Sequence, residues 1–191
     1  MTGTGTRLVT TDDAAALAEL RTTERARLQP FEPRREAHFY SADGQRSRIS
    51  EQLALHADGR CVPLVIVDES EGVVGEMTLA SIIRGAFQSA SVGYWVSERV
   101  EGRGVASAAL GDLQAVAFGP LGLHRLQGET LIRNTASQKV LERAGFVRYG
   151  TAPEYLQIDG RWQEHALYQC IAPEQVRPDE ARLRRLGDVA E

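Results

Sequence analysis

Cysteine is scarce in this chain: Cys61 and Cys170 are the only two in 191 residues. Neither has a partner at metal-ligand spacing, so no metal is expected. Each sits in an apolar run, Cys61–Leu64 and Leu167–Cys170, where a buried free thiol is the ordinary outcome. Long hydrophobic runs are missing as well. No stretch approaches the roughly 20 apolar residues that a membrane helix needs, and the opening Met1–Thr6 has neither a basic nor an apolar region. The expectation is a cytoplasmic protein without a membrane partner. There is no excess of positive charge. With 22 Lys and Arg against 26 Asp and Glu the net charge is −4, which argues against direct nucleic-acid binding. Internal repeats are absent, so a solenoid is excluded.

What remains is a globular balance, 42% hydrophobic and 25% charged. That suits one domain large enough to bury a core without metals or disulfides. We assign residues 1–172 to this domain and 173–191 to a polar tail in which Arg182, Arg184 and Arg185 alternate with Leu183 and Leu186.

Pattern supplies the order of elements. After a flexible Thr/Gly lead, Arg7–Thr10 reads as a short strand. Thr11–Asp13 caps a helix from Ala14, which Leu28–Pro33 breaks twice with proline. Gln45–Ala57 fits a second helix. Cys61–Asp68, Val73–Ile83 and Ser91–Val96 read as antiparallel strands. A glycine-rich turn at Glu101–Gly104 opens a helix whose apolar face carries Val105, Ala109, Leu113 and Val116, and Gly119-Pro120 stops it. Arg125–Leu131 is a strand, Asn134 caps a helix ending at Gly145, and Asp159-Gly160 marks a hairpin between strands starting at Phe146 and at Gln163. The result is an α+β class: a mixed, mostly antiparallel twisted sheet flanked by helices.

The turn Gly102-Arg103-Gly104-Val105-Ala106-Ser107 is where chemistry first shows. Small residues let the backbone bend so that several N–H groups converge, and the following helix N-terminus favours a pyrophosphate. Arg103 adds a cation. A Rossmann reading fails, for there is no G-x-G-x-x-G and no preceding run of βαβ units.

These residues resemble the GNAT superfamily of acetyltransferases. Its acetyl-CoA motif, Gln/Arg-x-x-Gly-x-Gly/Ala, is similar to Glu101-Gly102-Arg103-Gly104-Val105-Ala106, with Glu101 departing at the first position. Asn134-Thr135-Ala136-Ser137 followed by Gly145-Phe146 resembles the family's Asn-x-x-Ser helix. Leu121–Leu126, Leu28–Pro33 and Pro153–Leu156 are similar to segments of the Rim-type branch, whose members acetylate N-termini of ribosomal proteins. The resemblance covers residues 7–171 and implies the GNAT fold, acetyl-CoA as cosubstrate, and direct transfer to an amine in a ternary complex. The acceptor it implies is a protein N-terminus. A small-molecule amine is the alternative, and a non-catalytic CoA-binding module the third reading. Monomer and homodimer both stay open.

The resemblance also implies site residues. Glu154, in a Glu-Tyr-Leu triplet, is expected as the base, with Glu76 in reserve, and Ser137 as the acid facing the thioester sulfur. Asn134 and Ser137 are expected at the pantetheine arm. Tyr94, Trp95 and Val96 lie on the strand whose main chain polarises the thioester, and Arg103, Gly104, Val105, Ala106 and Ser107 form the phosphate cradle. His124 and His165 read as structural imidazoles and Arg34-Arg35 as a solvated pair.

Overall fold

A computed structural model describes residues 3–173 of the chain, so the polar tail assigned from the sequence lies outside the described residues from residue 174 onward. Seven strands form one sheet in the order β1-β2-β3-β4-β5-β7-β6. They are β1 Thr4–Leu8, β2 Val62–Asp68, β3 Gly72–Ile83, β4 Ser89–Val96, β5 Arg125–Leu131, β6 Val147–Ile158 and β7 Arg161–Ile171. The helices are α1 Ala14–Thr23, α2 Arg25–Leu28, α3 Ala42–Ala57, α4 Val105–Phe118 and α5 Thr135–Arg143.

Most elements fall where the pattern puts them, with small shifts at several ends, of which two at the start of the chain have a clear cause. The Thr/Gly lead is not loose: Thr4 pairs with Asp68 and Leu8 with Leu64, so the first strand begins there and ends before Thr10. Its main-chain ladder against β2 outweighs the low strand propensity of glycine. The second long helix starts at Ala42 because Ser41 caps it, its side chain accepting from the Gly44 N–H at 3.0 Å.

Two apolar layers sandwich the sheet. One face packs on α4 and α5 through Leu110, Leu113, Leu126, Leu141 and Tyr168. The other packs on α1 and α3 through Leu17, Ile49 and Val65. Burying side chains of this size contributes about 1.5–3 kcal/mol each. Gly128 on β5 lets α5 come close, since a Cβ there would stand 2.8 Å from a Leu141 methyl.

Every neighbouring pair of strands is antiparallel except β4 and β5, which are parallel and pair only from Ser89–Arg125 to Val92–Gly128. Beyond Val92 the strands part. Strand β4 continues along β3, Trp95 facing Glu76, while β5 continues along β7.

The parting end of β4 is fixed from the α1/α3 side by a buried ion cluster. Arg21 donates from Nε at 2.9 Å and Nη2 at 2.6 Å to Glu76 Oε2, Arg48 pairs with Glu76 Oε1, and Trp95 Nε1 donates to Oε2 at 3.0 Å. The Arg21 guanidinium also lies 4.3 Å from the Trp95 ring centre. Burial pushes the Glu76 carboxyl up, but Arg21 and then Arg48 outweigh it and hold the group below the ordinary carboxylate range.

We expect Glu76→Gln to leave two guanidiniums without a full counter-charge and to destabilise the fold by about 3 kcal/mol, read from denaturant midpoints. Because the folded carboxyl is depressed, its stabilisation is present above about pH 4.3 and is lost as pH falls through the lower folded value. The variant should therefore show a flatter loss of stability in acid. Equal acid profiles would remove Glu76 from this role.

Candidate active site

The gap between β4 and β5 opens a passage through the sheet. On the α4/α5 side lies a cleft of about 470 Å³, lined by Val96, Gly104, Val105, Ser107, Asn134 and Ser137 among others. A smaller chamber of about 230 Å³ continues into the gap, lined by Gly93, Trp95, Glu129, Thr130, Leu156 and His165. Tyr94, Asn134 and Ser137 border both.

The glycine-rich turn forms one wall. Gly104 is the N-cap of α4 with φ +82°, and Gly102 has φ +73°. Both are left-handed, which only glycine adopts without strain. The first amides of α4 are thereby left without an intrahelical partner and point at the cleft, as an anion-binding end requires. Arg103 Nη2 stands 3.5 Å from Asp68 Oδ2. Thus Gly104, Val105, Ala106 and Ser107 of the expected cradle come together at one end of the cleft, while Arg103 does not line it.

Glu101, the residue that departs from the motif, has a different use. It pairs with Arg27 of α2, which also donates to the Val96 carbonyl at 2.6 Å and to Glu24 Oε2 at 2.5 Å. Glu24 in turn accepts from Ser97 Oγ at 2.6 Å and from the Glu98 N–H at 3.0 Å. Burial raises the Glu24 carboxyl, and these contacts outweigh it to leave the group depressed. The network ties α2 to the end of β4 and to the phosphate turn. The sequence did not single out Arg27, which lines the cleft, or Glu24, which supports it, because their partners lie some 70 positions away.

In the middle of the cleft Asn134 Oδ1 accepts from the Ser137 N–H at 3.1 Å, capping α5. The cap aims Ser137 at the passage. Its hydroxyl meets the Tyr94 hydroxyl at 3.0 Å, and Tyr94 also reaches the Ser137 carbonyl at 3.2 Å. Burial pushes the Tyr94 phenol up to about 12, so it stays protonated and able to donate. Alternation puts Tyr94 and Trp95 on opposite faces, and the structure divides them so: Tyr94 meets α5 and Trp95 meets Glu76.

The two carboxylates expected as bases are not together. Glu76 is enclosed by Arg21, Arg48 and Trp95, with both oxygens occupied, so it is a structural anion rather than a proton acceptor for an incoming amine. Glu154 is exposed and does not line either cavity. It sits in a bulge where Pro153, Glu154 and Tyr155 stand opposite Glu164 alone, and its φ is +48°. Such a bulge re-aims side chains, and a left-handed glutamate stores strain of about 1 kcal/mol or more. Its neighbour Leu156 lines the chamber. His165 is buried, with Nδ1 2.9 Å from the Gln163 carbonyl, while His124 is exposed. Arg34 pairs with Asp159 at 3.1 Å at the hairpin tip. Cys61 is buried and Cys170 half-buried, both apart from the cleft lining.

Comparison with known proteins matches this arrangement. Residues 6–147 match the family model described as an acetyltransferase (GNAT) domain. The [ribosomal protein uS5]-alanine N-acetyltransferase of Escherichia coli is 30% identical over 170 residues, covering 88% of this chain and 87% of that protein. The ribosomal-protein-S5-alanine acetyltransferase of Vibrio fischeri superposes with a TM-score of 0.84 at 31% identity, over 88% of this chain and 93% of that one. Mycobacterium smegmatis RimJ, solved in complex with CoA-disulfide, gives 0.84 at 32% identity over 95% and 88%.

A side chain at Gly104 would meet nothing of the protein within 4 Å, so the cost of substitution is the left-handed φ rather than a clash. We expect Gly104→Val to weaken CoA binding about tenfold or more by calorimetry, with a smaller loss for Gly104→Asn, which tolerates that φ better. Equal losses for the two would contradict a conformational origin.

Proposed function

The chain belongs to the GNAT acetyltransferase family, and we propose that its acceptor is the α-amine at the N-terminus of a protein, a ribosomal protein in the first instance. The observation that carries this reading is the narrow chamber behind the thioester position. At about 230 Å³ it is smaller than the roughly 300 Å³ at which sites for drug-sized molecules begin. A free N-terminus with a small first residue fits such a chamber, and the rest of the peptide stays outside. The α-amine is also the easier nucleophile, with a pKa of about 7.8 against about 10.4 for lysine. Relatives named for acetylation of a ribosomal-protein alanine support the same acceptor.

The donor fits the residues present. The α4 amides and the Gly102–Gly104 turn suit a pyrophosphate. The β5-side edge of Gly93–Val96, without a strand partner among the described residues, suits an extended amide-bearing arm and leaves a main-chain N–H for the thioester oxygen. Acetyl-CoA supplies the activated acyl group.

The reaction is direct attack. The amine nitrogen bonds to the carbonyl carbon, the carbon–sulfur bond breaks, and the departing thiolate takes a proton. Ser137 is the donor to that sulfur. If Tyr94 donates to Ser137 Oγ, the serine proton is left free to point into the cleft, so the phenol orients the acid. The proton leaving the amine passes to Glu154 through water, and the strained bulge supports that role.

Ser137→Ala and Glu154→Gln should each lower kcat by about one to three orders of magnitude with CoA affinity little changed. Tyr94→Phe should cost about tenfold in kcat, and should cost nothing further in the Ser137→Ala background. Additive losses would separate the two hydroxyls. The acceptor itself is tested by CoA release with peptides beginning in Ala, Ser or Met against small amines. Turnover on a peptide, abolished by blocking its α-amine, is the expected result. Turnover on small amines alone would replace the N-terminal reading with metabolite modification.

A further inference from the structure

The acceptor chamber holds an unexplained imbalance of charge. Glu129, on β5, lines it, and among the described residues its one side-chain hydrogen-bond partner is the Ser91 hydroxyl at 3.5 Å. No cation pairs with this carboxylate among the described residues, although burial is enough to push it above its ordinary range. Its charge is felt by the nearby Tyr155 phenol, whose ring in turn lies 5.7 Å from that of His165.

Glu32 lines the same chamber from the loop after α2. Its Oε2 accepts from Arg21 at 2.7 Å, but its Oε1 is fully buried without a hydrogen-bond partner. The loop is not free to swing this oxygen out to water. Asp159 donates its N–H to the Glu32 carbonyl at 3.0 Å, and Arg133 donates to the Pro30 carbonyl at 2.6 Å, so the loop is clamped to the β6–β7 hairpin and to the segment before α5.

A buried carboxylate oxygen without a donor is costly, the more so when charged. Such an oxygen on Glu32, beside the half-buried Glu129 carboxylate that no described cation pairs, gives one small chamber, reached through the gap from the thioester side, more negative charge than the side chains around it balance. We propose that Glu129 and Glu32 together bind the acceptor amine in its ammonium form, holding it in the chamber before the proton is removed. The site therefore selects a cationic primary amine over a neutral group of the same shape. The role is recognition. The proton itself leaves as already described, and neither residue belongs to the CoA cleft.

This inference rests on the acetyl-transfer reading and specifies how its acceptor is held. The test uses the full chain with CoA bound, and compares a short peptide beginning in alanine with the same peptide in which the α-amine is replaced by hydrogen. The wild type should bind the cationic peptide about tenfold or more tightly than the neutral one, a difference of about 1.4 kcal/mol. Glu129→Gln should bring the two affinities together and raise the KM for the peptide about tenfold. CoA affinity and the unfolding midpoint should stay as in the wild type.

Glu32→Gln should change the ratio in the same direction, and its thermal midpoint reports any loss from the Arg21 contact separately. An unchanged ratio in both variants, or equal weakening of both peptides, would overturn the proposal, since a merely structural carboxylate would not distinguish them. If the wild type acetylates only small amines, the N-terminal reading fails by itself. The same expectations are then read with an accepted amine and its neutral hydroxyl analogue.

Discussion

The divergence of β4 from β5 is the constraint on which the rest of the molecule depends. A parallel pair inside an otherwise antiparallel sheet has to end somewhere, and here it ends after Val92 and Gly128. Each strand then keeps its other neighbour. The β4 end is held against β3 by the ladder and by the Trp95–Glu76 contact, and β5 is held against β7 out to Leu131. Twist carries the two edges apart. An open strand edge inside a protein is ordinarily a defect, because unpaired main-chain groups are costly when buried. Here the open edge at Tyr94–Val96 borders the cleft, and we propose that an extended substrate arm completes the sheet there.

That gap also explains the division of labour among side chains. Alternation along β4 sends Tyr94 to the α5 side and Trp95 to the α1/α3 side. In the reaction we propose, the hydroxyl pair faces the leaving sulfur and the carboxylates face the amine, from opposite sides of the sheet and through the passage between them. Direct transfer asks for this arrangement. Nucleophile and leaving group approach the carbonyl from different directions, and the acid is not neutralised by an adjacent base.

Local conformational demands were the legible part of the sequence. Gly102 and Gly104 stand where φ is positive, Asn134 stands where an N-cap is needed, and Pro30 breaks the helix where the chain turns to cross the site. Such features are written within three or four residues. What was not legible depends on partners far apart in the chain. Glu76 reads as a strand carboxylate able to serve as a base until Arg21 and Arg48 are seen closing on it from two helices, 55 and 28 positions away. The chamber-facing Glu129 gave no signal, because one acidic residue in an alternating strand is the common pattern of a solvated face. The bulge at Pro153–Tyr155 was likewise hidden, since its meaning lies in what stands opposite.

Glu101 shows how a departure from a motif can be absorbed. In its place the motif expects a neutral or positive side chain that reaches the cofactor, and an acid there should repel a pyrophosphate. Arg27 neutralises it, and the same guanidinium reaches the Val96 carbonyl at the end of β4. Glu24 then balances Arg27 and collects the Ser97 hydroxyl and the Glu98 amide. One chain of alternating charges therefore runs from α2 to the phosphate turn, so the turn's position is set by contacts outside the turn. With the anchoring done by this network, the glycines are left with a single requirement, the left-handed backbone that exposes the α4 amides. The acid at Glu101 is tolerated because, where it borders the cleft, Arg27 pairs with it.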